Sequence, residues 1–203
     1  ISALLFRMEK ARSRCDGERR TGAAAMQAGD PMSEDVKKLN SMRFLEAQGV
    51  PYEVFTYDEA IRDGVGAAEA MGFPPEQVYK TLVVQLKGGE YALVMVPANQ
   101  TLDLKKFARS IGLKKASMPT KRGAEAATGL KTGGIGALAL THKRWGVYLD
   151  ESAQAQEAIL VNAGQRGVNV KVKVDDLVRV LNARMVDLSA DADSGAGDEE
   201  DAG

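Results

Sequence analysis

The stretch QVYKTLVVQL, Gln77–Leu86, decides the fold because it predicts a central β-strand. Side chains of a strand alternate between its two faces. One face then carries an apolar row that a lysine interrupts: Val78, Lys80, Leu82, Val84 and Leu86. A desolvated ammonium without a partner costs several kcal/mol. Two interpretations of Lys80 are open: its stem reaches water from the strand start, or it lines a pocket for a polar or anionic ligand.

The next segment predicts a second strand that pairs with the first. Gly88-Gly89 is the signal of a two-residue hairpin turn. Tyr91–Val96 is apolar on both faces, which is typical of a central strand. The two strands therefore predict a hairpin in the middle of a sheet.

The rest of the pattern mixes helices and strands without strict alternation or internal repeat. Helices are predicted from a cap at Ser33 to Gly49, at Val65–Met71, from Asp103 to Gly112, near Lys121–Ala127 and at Val174–Leu181. Short strands are predicted at Tyr52–Tyr57, around Ala116, and at Val147–Leu149, Ala158–Val161 and Met185–Leu188. This mixture predicts one compact α+β (mixed α/β) domain.

Charge and composition define the expected boundaries of that domain within the 203 residues. Residues 190–203 carry six acidic residues and no basic one, which predicts a disordered acidic tail. Residues 1–31 show no sustained period and do not begin with methionine, so we expect a disordered or non-native extension. The folded domain is predicted to span residues 32–189.

Cysteine and histidine are too scarce for several kinds of active site. Cys15 and His142 are the single residues of their types, which excludes a disulfide framework and a Cys-Cys-His zinc site. We expect neither a metal nor another cofactor.

One cysteine fits a reducing, cytoplasmic setting, and no apolar run reaches the ~20 residues of a spanning helix. Neither a membrane nor DNA is expected as a partner.

The loop Thr128–Gly136 has four glycines in nine residues. Glycine permits positive φ and lets a ligand approach backbone N–H groups closely. The loop could therefore bind a carboxylate, a phosphate or an ester carbonyl, and an ordinary flexible turn is the alternative.

A basic cluster runs from the Asp103 helix to Arg122 and contains no acidic residue. It comprises Lys105, Lys106, Arg109, Lys114, Lys115, Lys121 and Arg122. Such a cluster could contact a phosphate backbone, or it could be the solvated face of a helix. No stacking aromatic residues interleave with it, so base-specific recognition of a single strand is not supported.

Six motifs follow one another along the predicted domain: VPYEVFTY at 50–57, PPEQVYKTL at 74–82, QTLDLKKFARSIGLKKA at 100–116, TGLKTGGIGALAL at 128–140, VYLDESA at 147–153 and VNAGQRGVNV at 161–170. Together they resemble the YbaK/ProX family of freestanding aminoacyl-tRNA editing proteins, which is related to the insertion domain of bacterial prolyl-tRNA synthetase. The resemblance covers nearly all of residues 32–188 and leaves out the first 31 residues and the acidic tail.

The resemblance implies the YbaK/prolyl-tRNA synthetase associated-domain fold, in which a curled mixed sheet flanked by helices surrounds a pocket. It implies hydrolysis of the ester between an amino acid and its tRNA. Lys80 falls on the family's key lysine, which we take as the catalytic residue, and this favours the pocket interpretation. The implied substrate-binding residues are Tyr57, Thr128, Gly129, Gly133, Gly134, Ile135 and Asn169. The expected tRNA contacts come from the basic cluster and are Lys105, Lys106, Arg109, Lys114 and Lys115.

Two positions depart from the family pattern. Family members often carry proline where this chain has Ala137, and several relatives carry an acid where it has Asn169. Ala137 is expected to alter the loop and with it the cognate amino acid, whereas Asn169 retains a hydrogen-bonding side chain without the charge.

The sequence offers no convincing nucleophile, so a positioned water or a group of the substrate itself is expected to attack the ester. The resulting hypothesis is trans-editing of a mischarged tRNA, with cysteinyl- and alanyl-tRNA(Pro) as the leading substrates. The alternative is a non-catalytic tRNA- or nucleotide-binding module with the same fold. A third option is a partner domain for a synthetase, such as prolyl-tRNA synthetase.

Overall fold

A computed structural model of the chain describes residues 37–191. In this range the helices are α1 (Asn40–Ala47), α2 (Gly64–Met71), α3 (Leu104–Ser110), α4 (Lys121–Thr128) and α5 (Val174–Leu181). The strands are β1 (Glu53–Thr56), β2 (Val78–Gln85), β3 (Tyr91–Pro97), β4 (Gln100–Leu102), β5 (Gly146–Asp150), β6 (Ala158–Gln165), β7 (Val168–Lys173), β8 (Arg184–Val186) and β9 (Ser189–Asp191). Short 3-10 helices lie at 75–77, 137–139, 141–143 and 151–155.

The strands form a mixed sheet in the order β1-β7-β6-β2-β3-β5-β8, and β4 pairs with β9 in a separate two-stranded ribbon. The β1–β7, β7–β6 and β2–β3 pairs are antiparallel, whereas the β6–β2, β3–β5 and β5–β8 pairs are parallel. The prediction of one α+β (mixed α/β) domain with helices flanking a mixed sheet is confirmed. Within residues 37–191, no helix has the length and apolar character needed to cross a membrane.

The two faces of the sheet have different cover. One face packs under α1, α5 and residues 135–140, and it receives Tyr79 and Val83 from β2. On the other face, α2 covers one cluster with Val78, and α3 covers a second cluster with Val84. Lys80 belongs to the same row as Val78 and Val84, so it lies between these two clusters.

Several helix ends follow from local sequence signals. The Asp103 carboxylate accepts hydrogen bonds from the N–H groups of Lys105 and Lys106 at the start of α3. Thr120 caps α4 in the same way through Gly123 N–H. Gly72 ends α2 in the left-handed conformation. The predicted cap Ser33 lies outside the described residues, and α1 begins at Asn40.

Four sequence predictions about strands require correction. The β2–β3 turn has three residues, 87–89, because Leu86 N–H bonds to Glu90 O and Gly89 N–H closes on Leu86 O. The strand around Ala116 is only a bridge between Ser117 and Gln85. The last predicted strand, Met185–Leu188, ends earlier as β8, and β9 beyond it was not predicted. The sequence analysis also missed β4 and β7, although VNVKVK alternates apolar and polar residues along β7.

The β4–β9 ribbon is connected to the main sheet through one buried carboxylate. Asp150 is 2% exposed, and its Oδ2 accepts hydrogen bonds from the N–H groups of Leu188 and Ser189 at 2.9 and 2.8 Å. Its Oδ1 accepts from Ser152 N–H. Burial alone would raise the pKa of Asp150, but these hydrogen bonds outweigh it and hold the pKa below its usual value. The first two residues beyond the predicted boundary at Ser189 therefore lie in β9, and the rest of the predicted tail lies outside the described residues.

We expect Asp150→Asn to lower the free energy of unfolding by about 2 kcal/mol at neutral pH, because a neutral amide accepts these hydrogen bonds less strongly. Because folding lowers the pKa of Asp150, its contribution is complete above the unfolded-state pKa of about 3.9 and is lost as pH falls through the folded-state value. Urea unfolding at several pH values would measure both effects. Exposed Asp175 at the start of α5 provides the control Asp175→Asn, and equal losses in the two variants would contradict the prediction.

Candidate functional site

A cleft opens where β2 and β6 separate. These strands pair only at Val78–Leu160 and Tyr79–Val161. Farther along β2, the edge that faces β6 has no paired strand until Gln85, which forms backbone hydrogen bonds with Ser117. Backbone groups on one edge of a strand recur at every second residue. The N–H and C=O groups of Thr81 and Val83 therefore point into the cleft, and no strand within residues 37–191 pairs with them.

The cleft contains a cavity of about 630 Å³. Its walls come from β2, from the end of β1 with the start of α2, from residues 118–124, from the glycine loop and from β6 and β7. Charge at the lining is unbalanced, because four cations face one carboxylate: Lys80, Arg62, Lys121 and Arg166, against Asp63. Asp63 Oδ1 already accepts a hydrogen bond from Gly66 N–H at 2.7 Å. The cavity is therefore suited to a ligand that carries negative charge.

Lys80 enters this cavity from the centre of β2 and is half-buried. Its Nζ donates one hydrogen bond, to Ala98 O at 3.2 Å. Burial lowers the pKa of Lys80, since nearby apolar side chains disfavour the charged form. An ammonium has three donors. The other two have no partner within residues 37–191 and are available for a ligand.

The glycine loop reaches the cavity through Thr132, Gly133 and Ile135. Asn162, on β6, donates from its side-chain amide to Gly133 O and to Gln165 O, both at 3.1 Å. Arg166 donates to Thr132 O. Gly136 packs so closely on β6 that a Cβ there would lie 2.1 Å from Asn162 O. The loop is therefore fixed against β6 by both hydrogen bonds and backbone packing.

Comparisons with known proteins agree with this architecture. A family model described as the aminoacyl-tRNA editing domain matches residues 58–180. The chain belongs to this family. It is 32% identical over 155 residues, 75% of this chain and 94% of the relative, to an Enterococcus faecalis protein named as a candidate Cys-tRNA(Pro)/Cys-tRNA(Cys) deacylase, EbsC.

Solved structures support the fold. One is described as a candidate trans-editing enzyme for prolyl-tRNA synthetase; it has a TM-score of 0.66 and 24% identity, with 76% of this chain and 99% of that chain covered. Another, described only as a hypothetical protein, has a TM-score of 0.67 and 20% identity over 73% of this chain and 97% of that chain. At these identities the likeness shows the fold alone.

The editing domain brings together most of the predicted substrate residues. Tyr57, Lys80, Gly133, Ile135 and Asn169 line the cavity. Burial raises the pKa of the Tyr57 hydroxyl, and the Gly167 backbone and the Arg166 charge partly offset this effect.

Three predicted residues lie outside the lining of the cavity. Thr128 is buried and its hydroxyl donates to Ala124 O while it accepts from Leu130 N–H. Gly129 ends α4 with a φ of 76°. Gly134 packs on the β6–β7 turn, where a Cβ would lie 2.8 Å from Arg166 N. These residues shape the loop that carries Gly133, and their role in binding substrate stays a prediction.

The basic cluster divides into two parts. Lys121 lines the cavity, close to exposed Met118 and to Pro119. On α3, Lys106 is held by Asp187 at 2.6 Å and by Ser189 O at 3.0 Å. Lys105, Arg109, Lys114 and Lys115 are exposed, and none of them lines the cavity. The cations nearest the site are therefore not those that the sequence analysis named as tRNA contacts.

Several polar residues of the cavity were not predicted from the sequence. Thr81 is 9% exposed, and its Oγ1 has no hydrogen-bond partner in the described part of the chain. Thr132 of the glycine loop lines the cavity as well. Asn162 and Arg166 also line the cavity. Its position next to Lys80 is the one sequence signal that could have indicated Thr81. Asn162 and Arg166 lie on the β6–β7 hairpin, and only the fold brings that hairpin to the cavity.

The two departures from the family pattern occupy different environments. Asn169 is 4% exposed, faces Asn162 across the β6–β7 pair, and makes no side-chain hydrogen bond within residues 37–191. Ala137 is buried at the start of a 3-10 helix and does not line the cavity. Asn169 can therefore contact a ligand directly, whereas Ala137 can act only through the loop.

We expect Lys80→Met to raise the free energy of unfolding by about 1 kcal/mol at neutral pH, because methionine is similar in size to lysine and removes the desolvated charge. A lysine whose pKa is lowered by folding opposes folding while it is protonated. The difference from the parent should therefore shrink as pH rises through the folded-state pKa towards about 10.4. Urea unfolding at neutral and alkaline pH measures this, with exposed Lys87→Met as the control. A destabilised Lys80→Met variant would contradict the prediction.

Proposed function

We propose that the protein is a freestanding trans-editing deacylase that hydrolyses the ester bond of a mischarged aminoacyl-tRNA. The observation that carries this proposal is the half-buried Lys80 ammonium in a cavity beside the glycine loop. The family membership and the name of the Enterococcus faecalis relative support the same activity. Cysteinyl- and alanyl-tRNA(Pro) are the first substrates to test.

The proposed reaction breaks one ester bond with one water. Water adds to the aminoacyl carbonyl carbon, negative charge develops on the carbonyl oxygen, and the tetrahedral species collapses to release the amino acid and the ribose hydroxyl. The residues that line the cavity include no cysteine, histidine or serine among those described. The attacking water, or a group of the substrate, is therefore activated mainly by orientation, which alone can supply several kcal/mol.

Lys80 is proposed to hold the substrate end of the tRNA. Its two available donors can reach a phosphate oxygen, a ribose hydroxyl or the ester oxygen. Val78 and Leu82 line the same cavity and exclude water from one side of the ammonium. A charge-assisted hydrogen bond is stronger in such an environment than in water.

A panel of charged tRNAs tests the proposal. Purified protein is mixed with cysteinyl-, alanyl- and prolyl-tRNA(Pro), and loss of the labelled amino acid is followed. We expect rapid deacylation of at least one mischarged species and a decrease of about 10²-fold in Lys80→Met, because a donor to the reacting group is lost. Lys87→Met, in the β2–β3 turn, should retain parental activity.

If every ester survives while the tRNA still binds, the protein is the non-catalytic binding module instead. Addition of prolyl-tRNA synthetase to the same assay tests the partner hypothesis. A large rate increase with the synthetase would indicate that the two act together.

Cations at the cavity mouth are proposed to contribute more to binding of the tRNA backbone than the cations on α3. Arg62 and Lys121 line the cavity, whereas Lys106 is paired with Asp187. Each phosphate contact to a single strand contributes about 0.7 to the slope of log K against log salt. We expect Lys121→Met to reduce the slope for tRNA binding by about this amount and Lys106→Met to reduce it by less. Filter binding across a salt series measures both, and a larger change in the Lys106 variant would favour α3 as the primary contact.

A further inference from the structure

One peptide unit of the glycine loop depends on a single side chain for its orientation. The unit joins Thr132 to Gly133, and its carbonyl accepts a hydrogen bond from the Arg166 guanidinium. Its N–H group, on Gly133, has no hydrogen-bond partner within residues 37–191. The carbonyl and N–H of a trans peptide point in opposite directions, so the Arg166 bond also sets the direction of the Gly133 N–H.

The neighbouring peptide units have other restraints. Thr132 N–H donates to the Glu125 carboxylate at 3.0 Å, and this bond lowers the pKa of Glu125. Gly133 O accepts from Asn162, and Gly134 N–H donates to Lys131 O at 2.8 Å. Of these three consecutive peptide units, Thr132–Gly133 is thus the one whose single hydrogen bond within residues 37–191 comes from Arg166.

Rotation of that peptide is sterically easy without Arg166. Gly133 has a φ of 90°, a region that glycine enters at little cost. A rotated peptide would turn the Thr132 carbonyl towards the side on which the N–H now lies and would oppose a negative charge there. The guanidinium also lies against Gly133, where a Cβ would be 2.9 Å from its Nε. The positive φ favours glycine at 133, and the Arg166 hydrogen bond restrains the conformational freedom that glycine brings.

We propose that Arg166 is a positioning residue that fixes the Thr132–Gly133 peptide so that Gly133 N–H can donate to the carbonyl oxygen of the ester as negative charge develops on it. This inference rests on the proposed deacylase function. Preorganised backbone donors of this kind stabilise a transition state without reorganisation at the moment of reaction. Because the donor acts on charge that forms only during the reaction, its loss should affect the rate and leave ground-state binding largely unchanged.

The alternative role for Arg166 is a direct contact with the tRNA, since it also lines the cavity. Single-turnover deacylation at increasing protein concentration separates the two roles. We expect Arg166→Met to lower the saturating rate by roughly 10- to 10²-fold with little change in the half-saturating concentration. Arg166→Lys keeps a donor without the planar fork and should be intermediate. Arg184→Met, on the edge strand β8, is the matched control and should behave as the parent.

The saturating rate decides the outcome. A parental saturating rate in Arg166→Met, with any loss confined to the half-saturating concentration, overturns the inference and makes Arg166 a substrate contact. Circular dichroism checks the fold, and if Arg166→Met is unfolded the decision passes to Arg166→Lys, whose undiminished rate would also overturn it. A parent protein that deacylates none of the tRNAs removes the proposed function itself, whereas an active parent with active Arg166 variants removes only this inference.

Discussion

The separation of β2 from β6 is the constraint on which the site depends. Two residue pairs join these strands, and the uncovered edge beyond them requires polar partners that the described chain does not provide. The same separation coincides with the gap between the α2 and α3 clusters, so Lys80 enters a space that no apolar side chain of residues 37–191 fills. A strand that would otherwise be an ordinary central strand thereby presents backbone groups, a hydroxyl and an ammonium to one cavity.

This arrangement separates the stabilising and the functional parts of the chain. The face under α1 and α5 is a continuous apolar core that extends from β2 to β7. The cavity between the strands retains Thr81 Oγ1, which has no partner among the described residues and costs stability while no ligand is bound. A site of this kind is maintained by a core elsewhere, and a bound ligand would recover part of that cost.

Local signals in the sequence were sufficient for the parts of the fold that depend on local physics. The alternation in Gln77–Leu86 and the helix start at Asp103 predicted β2 and α3, because burial and capping act within a few residues. Val174–Leu181 was also predicted correctly, as the helix α5. The ribbon of β4 and β9 was missed because its pairing joins residues far apart in the chain. The turn has three residues, 87–89, and not the predicted two, because a Gly-Gly pair does not determine which residue closes the hairpin.

The site shows the same division between local and long-range information. Lys80 could be predicted as a site residue because a charged side chain in an apolar row is unfavourable without a partner. The glycine loop could be predicted because it has four glycines in nine residues. Asn162 and Arg166 carry no such mark, since their role arises from the β6–β7 hairpin meeting a loop about 30 residues earlier in the chain. A glycine-rich loop can adopt many conformations, and its sequence does not indicate which one is populated. The side chains that select its conformation must therefore come from other elements, and only their contacts in three dimensions can identify them.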